Sequence, residues 1–332
     1  MRAEKISAEL YTKLIHSHPE TRFPIEQSPL WGEFQSTIPG RRSLGTFLIR
    51  QNEQEVALLN AVELTMRGYS YIWLNQGPTW LVEPTQAIVD DVAKTLRDVV
   101  AEASTARPLF IRAHFPKPPA KGLPAYSKSL IEKTTVVDLT PDFETILERM
   151  DYGARRGMRK AAKSGITIRE VPALEAAADF APYYAILSET ASRDGFYVHP
   201  ASTYQSMLKS LDGTVRFFVA FEGASPIAWA IDTVFNNQAI YYYGASNEAA
   251  RKVSAPYLLH VEIMRQLKDE GVRSYDFLGI GSKNYPGLQG VTQFKLRFGG
   301  EVIEYVPAYD IPLQPLYHPW KWAQALKTRL RH

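Results

Sequence analysis

The stretch Gly290–Gly300, reading GVTQFKLRFGG, sets two cations among aromatic residues: Lys295 and Arg297 lie two apart, between Phe294 and Phe298. In an extended segment, side chains alternate between faces. The spacing therefore predicts a strand with Lys295 and Arg297 on one face and Phe294, Leu296 and Phe298 on the other. The apolar face anchors the strand, and the basic face looks into the space above it. The plainer alternative is an edge strand with solvated charges.

A second cluster is GARRGMRKAAKSG (153–165), the most basic part of the chain. Helical spacing puts Arg156, Lys160 and Lys163 on one face, with Arg155 and Arg159 beside it. Five like charges with only Asp151 close by suit a polyanion; a solvated face is the alternative. Within AIYYYGAS (239–246), Tyr241 and Tyr243 alternate on one face of a predicted strand, either lining a site or packing. Other chemistries are less well provided for. The chain has no cysteine, which removes thiolate nucleophiles, disulfides and Cys-based zinc sites. His16 and His18 have no third ligand nearby, so no metal site is expected. No Ser-His-Asp set is evident, and Gly281-Ser282 reads as a turn after a strand rather than a nucleophile elbow.

These residues need a scaffold. With 332 residues, two domains are expected; 45% hydrophobic and 22% charged residues describe an ordinary globular composition. The net charge of +3 is mild, so any nucleic-acid binding must come from a local patch. No apolar run approaches the roughly 20 residues that span a bilayer. The charged start MRAEKISAELYTKLIHSHPE lacks the apolar core of a signal peptide, so a cytoplasmic protein is expected.

Strands are predicted at 43–50, 55–64, 69–78 and 108–115, with an amphipathic helix after Pro84 carrying Ile88, Val92, Leu96, Val99 and Val100. After the proline-rich connection 116–125 come a short strand at 136–139, a helix that Thr140 caps, and the basic helix. A strand at ITIREV follows, with one long helix around 174–192 and another around 201–211. Strands at 216–223 and 227–235 form a hairpin, followed by one at 239–246. A helix over 257–271 ends at Gly271, and a strand follows at 274–281. Extended 301–309 and a helix over 319–331 complete the chain.

One order occurs twice, at 43–115 and 216–280: two antiparallel strands, a third strand, a turn, an amphipathic helix and a fourth strand. A strand–helix–strand with short connections implies a parallel pair. This is also the order of the acyl-CoA N-acetyltransferase (GNAT) fold, whose turn Gln/Arg-x-x-Gly-x-Gly/Ala holds a pyrophosphate on bare backbone amides. The matching turn here is Arg251-Lys-Val-Ser254-Ala255-Pro256. Serine replaces the first glycine, and Pro256 has no N–H. The first copy has Leu81-Val-Glu-Pro84, with a carboxylate where a phosphate would sit. Neither turn suits coenzyme A.

An ordered set of motifs resembles the Fem (FemABX) family of aminoacyl-tRNA-dependent peptidoglycan aminoacyltransferases. It comprises Gln27-Ser28-Pro29-Leu30-Trp31, Gly77-Pro78, Val137-Asp138-Leu139 and Arg155-Arg156-x-x-Arg159-Lys160-Ala161-x-Lys163-x-Gly165. Ser188-Glu189-Thr190, Arg193-Asp194-Gly195-Phe196, Tyr241-Tyr242-Tyr243-Gly244-Ala245-Ser246, Asp276-Phe277-x-Gly279 and Phe294-Lys295-x-x-Phe298-Gly299 follow. The resemblance implies an α/β (α+β) fold of two tandem GNAT-like domains, mixed sheets flanked by helices. The first would hold residues 1–145 plus 306–332 and the second 146–305, with the substrate cleft between and along them. It implies transfer of amino acids from aminoacyl-tRNA, as co-substrate and without a separate cofactor, to the side-chain amine of the third stem-peptide residue of a peptidoglycan precursor. With no coiled-coil insertion over 166–304, the chain resembles the compact members. Those act on UDP-muramyl pentapeptide; a lipid-linked precursor, with peripheral membrane contact, is the other option.

The resemblance makes Lys295 the catalytic lysine. It places Trp31, Gln35, Arg193, His199, Tyr204, Tyr241, Tyr243 and Arg297 at the precursor, and it makes the 153–165 helix a surface for tRNA. Gln35 and His199 stand where the family has basic residues for the nucleotide diphosphate, and Arg41 or Arg42 are the nearest substitutes. His114 stands near where compact members carry an aspartate. A coenzyme A-dependent acyltransferase and a non-catalytic tRNA- or precursor-binding protein are the competing readings.

Overall fold

The computed structural model describes residues 1–66, 68–125, 131–282 and 289–329. They form two compact units: residues 1–130 with 306–332, and residues 131–305. The first begins with β1 (Arg2–Lys5), α1 (Ala8–Ser17) and α2 (Pro29–Ser36). The hairpin β2 (Arg41–Gln51) and β3 (Gln54–Met66) follows, then β4 (Tyr69–Leu74), the short β5 (Thr79–Trp80), α3 (Gln86–Ala103), β6 (Phe110–His114) and β7 (Leu123–Pro124). Local chemistry sets these ends. Ser28 caps α2 by accepting from Trp31 N, with Pro29 in the first turn, where its missing N–H costs nothing. Thr85 caps α3, which buries Val89, Val92, Leu96, Val99 and Val100 at helical spacing.

The second unit runs β8 (Lys133–Asp138), α4 (Phe143–Arg149), α5 (Tyr152–Lys163), β9 (Ile166–Val171), α6 (Ala173–Ala178), α7 (Ala181–Asp194) and α8 (Ala201–Ser210). The hairpin β10 (Val215–Glu222) and β11 (Ser225–Phe235) comes next, with β12 (Gln238–Ser246), α9 (Glu248–Val253), α10 (Ala255–Asp269), β13 (Ser274–Asp276), α11 (Gln289–Leu296) and β14 (Glu301–Glu304). The chain then returns to the first unit with β15 (Ala308–Pro312) and α12 (Tyr317–Arg329). Among the described residues no helix is long and apolar enough to cross a membrane.

The two sheets share one plan. The first is ordered β1-β2-β3-β4-β6-β15-β7, and the second, read in the same sense, β9-β10-β11-β12-β13-β8-β14. Each is an antiparallel meander followed by one parallel pair, β4 with β6 and β12 with β13; α3 and α10 make the crossovers. This confirms the twice-used order seen in the sequence. In each sheet the last strand of the repeat gains an antiparallel neighbour from a distant part of the chain, β15 on β6 and β8 on β13.

Several expectations change. The boundary drawn at 145 falls at 130 in the structure, because β8 is hydrogen-bonded to β13 and β14. The single extended run 301–309 is two strands in different sheets, interrupted around Pro307, which has no N–H for a ladder. The long helix at 174–192 is two, with α6 ending at Asp179 and Pro182 in the first turn of α7. Asp142, not Thr140, caps α4.

Candidate active site

The parallel pair β12–β13 is short. Gln238, Ala239 and Ile240 face Ser274, Tyr275 and Asp276, and beyond them β12 runs on without β13. The strands part where a parallel sheet opens its carboxyl ends, the usual place for a ligand crevice in such sheets. Lys295 enters there. It does not come from a strand: Gln289–Leu296 is the helix α11. At 100° per residue, Phe294, Lys295 and Phe298 share the inward side, and Arg297 faces away from Lys295. Phe294 and Phe298 pack with Tyr257, His260 and Phe277, and this anchors the helix. Gly299, at φ +77°, turns the chain where a Cβ would stand 2.4 Å from the Arg149 carbonyl oxygen, so glycine is required.

Lys295 is 8% exposed. Its Nζ donates to the carbonyl oxygens of Leu278 and, at 2.8 Å, Gly279, and lies 5.8 Å from the centre of the Tyr241 ring. Leu278 and Gly279 both have positive φ. Asp276 holds this turn by accepting from Leu278 N at 2.8 Å, and it also accepts from the hydroxyls of Thr134 and Tyr305. Burial lowers the Lys295 ammonium to about 7, against the opposing pull of Asp276. Below the lysine lies a polar chain: His260 Nδ1 is 2.9 Å from Tyr275 Oη, which donates to Asp232 Oδ1 at 2.7 Å. Burial pushes Asp232 up to about 8 and His260 down to about 3, so both favour their neutral forms at neutral pH. The arrangement offers one buried ammonium among aromatic rings, with the Asp276 carboxylate as its nearby counter-charge. The sequence reading passed over Asp232 and His260. Their signal was a lone acid in the apolar strand IAWAIDTVF and a histidine on the buried side of an apolar helix.

Tyr241 and Tyr243 do not share a face. β12 carries an extra residue, Tyr242, between the pairs Ile231–Tyr243 and Asp232–Tyr241. A bulge of this kind breaks the two-residue alternation. Tyr241 lies with His260, Phe277 and Lys295, and its hydroxyl sits 2.0 Å from where a Cβ on Gly244 would be. Tyr243 lies on the opposite face with His199 and Tyr204. Tyr204 is buried, stacked on Phe180, and its hydroxyl accepts from His199 N at 3.3 Å. The exposed His199 also has its carbonyl bonded by Tyr184 Oη. Arg193 grips its neighbour Asp194 through two bonds of 2.8 Å and donates to Ser246 O at 2.8 Å.

Trp31 and Gln35 belong to the first unit, on α2. Trp31 is buried, edge-on to Phe34. Gln35 is buried and accepts from Arg41 Nη1 at 2.7 Å, whereas Arg42 is paired with Glu63. In that unit His114 is buried, with its Nδ1 2.7 Å from Val306 O, and burial lowers its imidazole.

The basic residues all lie on α5. The helix packs Ala154, Gly157 and Ala161 onto α10; a Cβ on Gly157 would meet the Tyr257 ring at 2.6 Å. The opposite side leaves Arg156, Arg159, Lys160 and Lys163 exposed, and Arg155 half-buried. Lys160 Nζ donates to Lys252 O. Arg297 donates to Tyr257 Oη at 3.0 Å, and its backbone carbonyl accepts from Asp151 N at 2.8 Å, the cap of α5.

A family model described as an acetyltransferase (GNAT) domain matches residues 149–296, the end of α4 through α11. The aminoacyltransferase FemA of Staphylococcus aureus is 27% identical over 96 residues, 28% of this chain; the match spans 23% of FemA's length. The crystal structure of FemX superposes with a TM-score of 0.75 over 96% of this chain and 99% of its own, at 16% identity. A tandem GNAT protein from the clavulanic acid biosynthesis pathway gives 0.58 over 95% and 99%, at 13% identity. The family model lies in the lysine-bearing unit, the FemA match is a likeness of sequence over part of the chain, and the two solved structures are likenesses of fold across nearly all of it. Together they show a chain similar to FemA over part of its sequence, on a fold of two GNAT-like units.

Proposed function

We propose that this protein is an aminoacyltransferase that moves an amino acid from aminoacyl-tRNA to the side-chain amine of the third stem-peptide residue of a peptidoglycan precursor. The observation that carries this reading is the buried Lys295 ammonium, held by the Leu278 and Gly279 carbonyls at the parting of β12 and β13. Attack of the neutral amine on the aminoacyl ester builds a tetrahedral oxyanion, and an ammonium in a desolvated wall stabilises it. The ester is already activated, so positioning and charge suffice; the amine loses its proton, and the ribose hydroxyl leaves with one. Arg155, Arg156, Arg159, Lys160 and Lys163 hold the tRNA. In this reading Tyr241, beside the lysine, serves the acceptor amine; Arg193, His199, Tyr204, Tyr243 and Arg297 of the same unit, and Trp31, Gln35 and Arg41 of the first unit, are separate assignments to other parts of the precursor.

Coenzyme A, which the fold implies, does not fit. The turn between α9 and α10 has Ser254 at φ +66° and Pro256 without an N–H; the N–H groups of Ser254 and Tyr257 are donated to Arg251 O and Ser254 O. The deciding experiment incubates the protein with a mixed pool of charged tRNA and UDP-muramyl pentapeptide and reads the mass gain of the pentapeptide. Adding acetyl-CoA in place of tRNA should give none. Charge reversal at Arg156 and Lys160 should raise the Michaelis constant for aminoacyl-tRNA, and the effect should shrink as salt rises.

A further inference from the structure

Tyr152 is the first residue of α5 and is 68% exposed, an unusual place for an aromatic ring on a helix otherwise lined with charge. From it, Arg156, Arg159 and Lys163 follow at steps of four, three and four, so the four residues form one stripe along the exposed side. Among the described residues none of Arg156, Arg159 and Lys163 has an ion-pair partner, and the opposite side of the helix is sealed against α10. At 1.5 Å per residue the stripe is about 16 Å long.

The stripe has a direction. Its Tyr152 end is tied to the end of α11 by the bond from Asp151 N to Arg297 O, two residues after Lys295. The Arg297 guanidinium lies 3.7 Å from where a Cβ on Gly153 would be, next to Tyr152. A polyanion lying on α5 therefore has one end at the close of α11, the helix that carries the lysine, and the other at Lys163. Cations followed by an exposed ring match an RNA whose paired region gives way to a single strand. Phosphates neutralise the cations, and an unpaired base offers its face to the ring.

We propose that Tyr152 is a stacking platform for an unpaired base in the 3′ single strand of an RNA whose duplex lies along Arg156, Arg159 and Lys163. This deepens the reading of α5 as the tRNA surface and rests on it. Tyr152 selects the strand end and points it at α11, while the cations hold the duplex whatever its sequence.

The test uses the whole protein and two labelled RNA hairpins, one blunt and one carrying a short unpaired 3′ extension, followed by fluorescence anisotropy over a salt series. Wild type should prefer the extended hairpin. Tyr152→Ala should weaken the extended hairpin about tenfold, leave the blunt one alone and keep the salt slope, because no phosphate contact is lost. Tyr152→Phe should bind like wild type. Lys163→Glu should weaken both hairpins and flatten the slope. Undiminished binding of the extended hairpin by Tyr152→Ala, or equal weakening of both hairpins, would overturn the stacking role and leave the tRNA surface standing. A wild type that binds neither hairpin would overturn both. The position is exposed, and a thermal melt of each variant confirms its fold.

Discussion

The desolvation of Lys295 has a measurable signature in stability. Its ammonium titrates at about 7 in the folded protein, against an ordinary 10.5, because burial disfavours the charged form. Between these values the unfolded chain holds a proton that the folded chain has released. Stability therefore rises with pH across this window, by up to about 1.4 kcal/mol per pH unit from this one group. Below about 7 both states are protonated and the full penalty applies, of the order of 5 kcal/mol. Lys295→Met removes the group. It also leaves the Leu278 and Gly279 carbonyls without their donor, a cost of about 1–3 kcal/mol each that does not vary with pH. Urea unfolding at pH 7.5 and 9.5 separates the two effects. Wild type should gain roughly 2–3 kcal/mol on the variant between those points. Parallel curves for the two proteins would refute the account, since Lys295 would then titrate as an exposed lysine. The same variant should lose about 100- to 1,000-fold in kcat with little change in KM, the scale expected when an oxyanion partner is removed. The wild-type rate should fall above pH 7 as the ammonium loses its proton.

Other perturbations test the supports of the site and of the fold. Asp276→Asn keeps an acceptor for Leu278 N but removes the charge that raises Lys295, so the alkaline fall in the pH–rate profile should move to lower pH; an unmoved limb would separate Asp276 from the lysine. Gly244→Ala places a methyl 2.0 Å from the Tyr241 hydroxyl and must swing that ring away from Lys295. A loss of about 1–3 kcal/mol by urea unfolding and a lowered kcat should follow, and unchanged values for both would show that the ring is free to sit elsewhere. In the first unit, Arg112 is bonded bidentately to Asp310, and both are buried. Asp310→Ala leaves that guanidinium without its counter-charge, and calorimetry should report a loss of about 3–5 kcal/mol.

Much of the fold was legible from pattern alone. The meander, crossover helix and returning strand appear twice because each relies on local signals: apolar periodicity, Pro84 ahead of the first crossover helix, and Gly271 closing the second. The basic stripe of α5 was legible for the same reason, since a helix surface follows directly from residue spacing. The segment around Lys295 was not. GVTQFKLRFGG fits both periods over so short a run, and the aromatic core formed by Tyr257, His260 and Phe277 selects the helix.

Sequence by itself thus determined which side chains bear charge, which helices carry them and the element order that is used twice. It also marked Lys295 as the residue to watch. Tertiary structure alone decided the rest. A one-residue bulge at Tyr242 sent Tyr241 and Tyr243 to opposite faces, and bulges leave no fixed mark on a strand pattern. The partners of Lys295 are backbone carbonyls of Leu278 and Gly279, which any sequence possesses, set by a left-handed turn that Asp276 holds. Its lowered proton affinity is a property of surroundings assembled from β12, α10 and β13. Desolvation depends on what lies within a few ångströms in space, and residue order does not record that.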